Sequence, residues 1–356
     1  MHACVTYSHV GDWYYMADSQ PSTGERLLFL FWQAHLQAFF MGILFFVAGV
    51  FAAGSLERRG RAGFLRERAR RLGLPTLFYM LAIHPFILLV LNPWGTRFPP
   101  AGAFYRHYLI SGRFLGSSGP MWFAFALLIF CCVLASTGPF GSAEPKTSEP
   151  LPAPSAGRLW FFAAALGVAS FLIRTRQPLG SSVMNFQLCY FAQYVAAFGA
   201  GLAAARGGWL GALASSRRAA NAGWSAILGG PILLLALVSA LRWNPAAGEL
   251  YRGGWNVPAF ELAMWEQLTG LGLGLGILAL FSRFAGAGPG WLRWAGDRSF
   301  GVYLLHPPVL VALAMAFRSL PQEPVLLAAL LTVAGLTGSF ILADLARRIP
   351  GLRSIV

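Results

Sequence analysis

The sequence predicts an all-α, polytopic integral membrane protein with about ten transmembrane helices, the first of them truncated. Of its 356 residues, 56% are hydrophobic and only 11% are charged, whereas about a quarter of the residues in a soluble domain are charged. Long uncharged apolar runs also end at arginines, as residues 39–54 do just before seven arginines at 58–71. This pattern fits a helix that crosses the bilayer and ends at an anionic cytoplasmic surface.

Apolar runs recur along the whole chain and define the predicted spans. Residues 1–10 are apolar but shorter than the about 20 residues that a crossing needs, so they are expected to be the end of a truncated first helix. The remaining predicted spans cover about residues 27–54, 73–92, 120–137, 158–174, 186–205, 224–241, 259–284, 299–317 and 321–345.

The distribution of Lys and Arg predicts the orientation. Of the 27 basic residues, 18 fall on one side of the predicted spans and nine on the other. The richer side, which includes the loop at 55–72, is expected to be cytoplasmic. The net charge of +14 therefore reflects topology rather than a nucleic-acid surface. A Pro/Ser/Ala-rich stretch at about 138–157 predicts a flexible cytoplasmic linker within a single membrane domain, residues 1–356.

Ionisable residues inside predicted spans are the first candidates for function, because they are costly in a membrane. A histidine can accept a proton near neutral pH, and a carboxylate beside it would orient the ring and stabilise the imidazolium. His2 and Glu266 would suit these two roles. An intramembrane histidine can equally be a packing residue; this reading is favoured for His84 and remains open for His306.

Several arginines lie on the predicted outer side, where the positive-inside rule does not favour them. They either line a water-filled vestibule that holds an anion or a polar sugar, or are tolerated at the interface; the first reading is favoured for Arg174 and Arg176. The sequence contains no phosphate-binding loop, metal-ligand cluster or nucleophile elbow. No metal site and no ATPase activity are therefore predicted.

Four segments, in order along the chain, carry a resemblance to a known family. They are HACVTYSHVGDWYY with His2, FFMGILFFVAGVF followed by FLRERARRLGLP, SGPMWFAFALL with Trp122, and SFGVYLLHPPVLV with Tyr303 and His306. Together they resemble acyltransferase family 3, the polytopic membrane acyltransferases. CYFAQYVAAFGAGLAAARGGWL and RRIPGLRSIV resemble its branch of the glucans biosynthesis protein C type.

The resemblance implies transfer of an acyl group from a cytoplasmic thioester donor of the acyl-CoA type to a hydroxyl of a carbohydrate or similar acceptor. It implies that His2 is the catalytic base; Glu266, selected above as an ionisable residue in a predicted span, is expected to be its orienting partner. Arg174 and the motif residues Trp122, Tyr303 and His306 are expected to bind substrate. The arginines expected to bind the donor are Arg66, Arg68, Arg70 and Arg71.

The donor is expected to be a co-substrate, with no further cofactor, in a bacterial inner membrane. In this family a basic residue usually lies about three turns before the catalytic histidine, and here the chain starts one residue before His2. Two other hypotheses therefore remain open at the sequence level. One is a transporter or flippase of an anionic or acylated solute, and the other is an inactive, truncated acyltransferase.

Overall fold

The computed structural model describes residues 22–91, 100–137, 151–239, 245–283, 289–317 and 323–350. These residues are overwhelmingly helical. Within them no strand forms, and the only β-type pairing is an isolated bridge between Val183 and Phe186. The prediction of an all-α protein is confirmed.

Ten of the α-helices in the described residues position the features discussed here and are used below by label. They are α1 Thr23–Arg68, α2 Ala101–Ile110, α3 Trp122–Thr137, α4 Ala156–Arg174, α5 Phe191–Gly207, α6 Leu210–Ala214, α7 Arg217–Val238, α8 Val257–Ser282, α9 Gly290–Phe317 and α10 Pro324–Arg347. Short 3₁₀ turns at Gly119–Met121, Leu188–Tyr190 and Pro245–Arg252 lead into α3, α5 and the loop before α8.

Eight helical runs in the described part of the chain are long and apolar enough to cross a membrane. This confirms a polytopic membrane protein. The first run, Phe31–Leu89, has 59 residues. At 1.5 Å per residue it is about 88 Å long, roughly three bilayer cores. Two of the predicted spans fall largely within it, which explains why eight runs replace a larger predicted number. The predicted stub at 1–10 lies outside the described residues.

A single glycine breaks α1 between those two spans. Gly60 has φ 65° and ψ 172°, which is not helical. A side chain there would find open space, so the backbone conformation and not crowding favours glycine at this position. Arg58, Arg59 and Arg61 flank the break and are exposed. The arginine-rich stretch therefore coincides with the point where the first apolar segment ends.

Prolines shape the second of these segments. Between Ala69 and Leu91 three π-helical stretches, Ala69–Gly73, Tyr79–Ile83 and Ile87–Leu91, alternate with short α-helices. Pro75 and Pro85 follow the first two stretches at the same interval. Proline lacks an N–H and clashes with the carbonyl four residues earlier. Each of these two π turns thus lies over the part of the helix where the proline that follows disturbs the regular hydrogen bonding.

The chain forms two compact units. The first unit takes its described residues from Met1–Gln33, Arg66–Ile129 and Gly288–Val356. In this unit α9 and α10 pack antiparallel, with Ala314 of α9 against Leu327 and Leu331 of α10. That the whole chain forms one functional domain stays a prediction.

The second unit takes its described residues from Ala34–Leu65 and Phe130–Ala287. Glycines let its helices approach closely. A methyl group on Gly201 of α5 would lie 2.0 Å from the carbonyl oxygen of Phe46 on α1. A methyl group on Gly270 of α8 would likewise lie 2.0 Å from the carbonyl oxygen of Ala38 on α1. Such small-residue contacts replace the hydrophobic driving force that helices lack within lipid. They account for part of the high glycine content.

Candidate functional site

The second unit encloses a set of buried and half-buried polar side chains where α1, α4, the start of α5 and α8 meet. We call it the polar cluster, and it consists of Gln37, Arg174, Tyr190, Gln193, Tyr194 and Glu266. Helices that are apolar on most sides have no packing reason to bury such groups, because each costs free energy unless it is hydrogen-bonded. The cluster is therefore the first place in the described chain to look for function.

An ion pair lies at its centre. Arg174 is the last residue of α4, and Glu266 lies in the first half of α8. The Nη2 group of Arg174 donates a hydrogen bond to Oε2 of Glu266. Arg174 is 0% exposed and Glu266 is 4% exposed. Each charge compensates the other, and either one left alone at this site would be strongly unfavourable.

The pair has hydrogen-bonding capacity to spare. Nε and Nη1 of Arg174 and Oε1 of Glu266 are buried and have no hydrogen-bond partner among the described residues. The first two are donors and the third is an acceptor. A hydroxyl group can accept from an N–H and donate to a carboxylate at the same time. The arrangement therefore suits an alcohol oxygen placed between the two side chains.

Aromatic and loop contacts hold Arg174 in place. Its guanidinium carbon lies 5.3 Å from the centre of the Tyr190 ring, within the range of a cation–π contact. The N–H of Gly254 donates to the Arg174 carbonyl at 3.4 Å. A methyl group on Gly253 would lie 2.3 Å from the same carbonyl oxygen. The loop after Pro245–Arg252 therefore closes over the end of α4, and glycine is required for that approach.

The carboxylate is positioned by the start of α8. The Asn256 side chain accepts a hydrogen bond from the Ala259 N–H at 2.9 Å, which caps the helix. One residue before Glu266, the Trp265 ring N–H donates to the Gly230 carbonyl of α7 at 2.8 Å. His35 of α1 contacts the Trp265 ring edge-to-face, with ring centres 5.0 Å apart. These contacts fix the rotation of α8 that points Glu266 toward Arg174.

Neutral polar residues connect the cluster to α1. Gln193 Nε2 donates to the Ala38 carbonyl at 2.7 Å, and Gln37 Nε2 donates to the Tyr194 hydroxyl at 3.3 Å. Tyr190, at the end of the 3₁₀ turn before α5, stacks on Tyr194 of α5, with ring centres 6.3 Å apart. The cluster is thus a continuous polar layer and not an isolated ion pair.

The predicted motif residues of the first unit also come together. The Tyr303 hydroxyl of α9 donates to the carbonyl of Pro120, which lies two residues before Trp122 at the start of α3. Nδ1 of His306 lies 2.8 Å from the Tyr303 carbonyl oxygen. Because a carbonyl can only accept, the hydrogen in this contact is on Nδ1, and in the neutral ring Nε2 then carries the lone pair. Trp122 is half-buried.

The predicted donor-binding arginines lie at the end of α1 and in the π turn that follows. Arg66, Arg70 and Arg71 are exposed, and Arg68 is half-buried. Glu67 pairs with Arg71 at 3.4 Å, so the stretch keeps an excess of positive charge. A guanidinium group suits phosphate recognition, because its planar fork of five donors matches the geometry of the anion.

His2 lies outside the described residues, so its predicted contact with Glu266 stays a prediction. Sequence reasoning selected Arg174 and Glu266 separately and did not pair them. It also missed the neutral members Gln37, Tyr190, Gln193 and Tyr194, because only ionisable groups were sought. The spacing of Tyr190, Gln193 and Tyr194, at i, i+3 and i+4 across the start of α5, is a signal that could have revealed one polar face. Within the described residues no group of three or more potential metal ligands occurs.

The sequence was compared with models of known protein families, with curated proteins and with solved structures. A family model described as an acyltransferase domain, Acyl_transf_3, matches residues 3–344. The match spans nearly the whole chain and includes the helices of both compact units. No curated protein and no solved structure matches the sequence.

Proposed function

Because the chain belongs to acyltransferase family 3, we propose that it transfers an acyl group from a cytoplasmic acyl-CoA-type thioester to a hydroxyl of a carbohydrate acceptor. The observation that carries this proposal is the family match over residues 3–344, which identifies an acyltransferase. Eight helical runs long and apolar enough to cross a membrane support a membrane enzyme. The match favours an enzyme over the transporter that the sequence alone left open.

The polar cluster supports a hydroxyl acceptor. In the proposed complex the acceptor oxygen accepts a hydrogen bond from Nη1 or Nε of Arg174. Its neighbouring hydroxyl donates to Oε1 of Glu266. Burial strengthens both bonds, since competing water is excluded. A vicinal diol of a sugar offers this pair of groups.

The chemical step assigned to His2 is general-base catalysis. Its imidazole removes the proton of the acceptor hydroxyl as the oxygen attacks the thioester carbonyl. The carbon–sulfur bond then breaks, and the thiolate takes a proton from the imidazolium, which returns the histidine to its neutral form. Glu266 is the proposed group that orients the ring and stabilises its charged form, with Oε1 accepting from the imidazole as well as from the sugar hydroxyl.

The donor is proposed to enter from the cytoplasm. The arginines at 66–71 lie in the loop with the largest positive charge, which the positive-inside rule assigns to that side. Their charge would attract the phosphates of a coenzyme A thioester. Trp122, Tyr303 and His306 are proposed to contact the donor. The membrane is proposed to be a bacterial inner membrane.

The acceptor is proposed to be a periplasmic glucan, as the resemblance to the glucans biosynthesis protein C type implies. The test incubates purified protein with succinyl-CoA and acetyl-CoA, each labelled in the acyl group, and with a linear or cyclic glucan. Transfer of label to the glucan as a hydroxylamine-sensitive ester supports the proposal. Uptake of intact solute into proteoliposomes without any transfer or hydrolysis of the label would overturn it.

A further inference from the structure

A groove opens between the start of α9 and the end of α10, in the first unit. Its volume is about 520 Å³. Most of its lining is apolar, from Trp294 on α9 and from Leu336, Phe340 and Ile341 on α10, and its polar end is formed by Asp344 and Arg348. The groove contains none of the residues assigned above to acyl transfer.

The apolar part of this groove faces outward. Leu336 and Ile341 are 56% and 57% exposed. Trp294 and Phe340 stack at 5.2 Å with their planes 20° apart, and form a flat floor that joins the two helices. In a membrane-spanning helix pair, exposed side chains of this kind meet lipid chains.

The polar end of the groove is basic. Arg298 donates to Asp344 at 2.8 and 2.6 Å, and Arg348 donates to the other oxygen of the same carboxylate at 3.1 Å. Arg298 also lies 4.5 Å from the centre of the Trp294 ring, and Arg347 donates to the Asp297 carbonyl. Asp344 therefore neutralises only one of the two arginines that contact it, which leaves positive charge at the rim.

Charge and position together indicate what occupies the groove. The two helix ends that form it carry Arg293, Arg298, Arg347 and Arg348 against Asp297 and Asp344, so the positive-inside rule assigns this end to the cytoplasmic side. Basic pockets between membrane helices on that side bind anionic headgroups. A soluble ligand would not explain an apolar floor that opens toward lipid.

We propose that this groove binds one anionic phospholipid of the cytoplasmic leaflet. An acyl chain lies along Leu336, Phe340 and Ile341. The phosphate lies beside the exposed guanidinium of Arg348, whose side chain is 73% exposed, and a tryptophan ring marks the interface, as is usual at headgroup depth. The site is independent of the proposed acyl transfer.

Binding is tested with the full-length protein in detergent micelles, by native mass spectrometry after titration with phosphatidylglycerol or with phosphatidylcholine of the same chains. One phosphatidylglycerol is expected to stay bound under conditions that remove phosphatidylcholine. Arg348→Gln should weaken phosphatidylglycerol binding about fivefold, the effect of one basic residue near an anionic surface. Arg217→Gln, an exposed arginine on the same predicted side but in the second unit, is the matched control and should leave binding unchanged.

A second variant tests the apolar part separately. Thr337 lines the groove, and Thr337→Trp would fill it without changing any charge. It should abolish retention of the lipid, while the unfolding temperature in lipid-free micelles shows whether the helix pair still folds. Equal retention of both lipids, or displacement of phosphatidylglycerol by inorganic phosphate alone or by acyl-CoA, would overturn the proposal.

Discussion

The guanidinium of Arg174 donates a hydrogen bond to the carboxylate of Glu266, and both side chains are buried in the second unit. The two residues are 92 positions apart and lie on α4 and α8. Their pairing holds two opposite charges away from water and leaves one carboxylate oxygen and two guanidinium nitrogens for other partners. The first prediction concerns this pair.

Removing one partner should destabilise the protein, because the other charge stays buried. Glu266→Gln or Arg174→Met is expected to lower the free energy of unfolding by about 3–5 kcal/mol, and the Arg174→Met/Glu266→Leu double variant should recover most of the loss. Denaturant unfolding in mixed micelles measures the free energy of unfolding of each variant. Glu249→Gln is the control, since Glu249 pairs with Arg252 at the exposed surface and should cost less than about 1 kcal/mol. Equal losses for Glu266→Gln and Glu249→Gln would contradict the buried pair.

Close helix contacts make some glycines irreplaceable and others not. Gly201→Ala and Gly270→Ala would each place a methyl group 2.0 Å from a carbonyl oxygen of α1, so each should lower the free energy of unfolding by about 1–3 kcal/mol. Gly199→Ala and Gly274→Ala on the same helices meet no atom within 4 Å. These controls should be neutral or stabilising, because alanine has the better helix propensity. The unfolding temperatures of the four variants in one detergent test this prediction. Equal temperatures for Gly201→Ala and Gly199→Ala, and for Gly270→Ala and Gly274→Ala, would contradict the close helix contacts.

The exposed arginines after Gly60 are proposed to bind the donor. Arg70→Gln/Arg71→Gln should raise the KM for the acyl-CoA donor by at least about fivefold with little change in kcat, since each removes a phosphate contact. Arg58→Gln/Arg59→Gln removes the same charge from the other side of the glycine break and serves as the control. Initial rates at varied donor concentration separate the two. A similar rise in the KM of both double variants would show that general surface charge, and not a donor site at Arg70 and Arg71, causes the effect.

The hydrogen bond from Tyr303 to the Pro120 carbonyl supports the segment that begins α3 with Trp122. Tyr303→Phe should cost about 1 kcal/mol of stability and, if this segment contacts the donor as proposed, should also reduce kcat/KM. Tyr105→Phe is a matched control, because Tyr105 donates to the Leu81 carbonyl at 2.7 Å and belongs to no proposed binding motif. Loss of stability without a selective loss of activity would remove Tyr303 from the site.

Composition and charge were sufficient to predict the fold class, because apolar runs of bilayer length ending in arginines have one physical explanation. The exact number of spans was harder to predict, since the two apolar segments on either side of Gly60 belong to one helical run, Phe31–Leu89, of 59 residues. The π turns before Pro75 and Pro85 were not predicted either. Proline marks a disturbance in a helix, but its form depends on the packing around it.

The site was predictable only in its charged members. Arg174 and Glu266 stand out because charges inside apolar segments are rare. Their pairing depends on how α4 and α8 pack, which no local pattern specifies. Gln193 and Tyr194 were missed because amides and phenols also occur as ordinary interfacial residues. Their role is visible only where Gln193 binds the Ala38 carbonyl and Tyr194 accepts from Gln37.

The most direct measurement is acyl transfer by inside-out membrane vesicles, with labelled succinyl-CoA added to the exposed cytoplasmic face and a glucan enclosed within. The proposed mechanism predicts labelled, esterified glucan inside the vesicles for the unmodified protein, and a loss of at least about a hundredfold for His2→Ala, in keeping with the effect of a general base. His9→Ala, seven residues further on, should retain the rate. Unchanged transfer by His2→Ala, or label that enters the vesicles without becoming esterified, would contradict it.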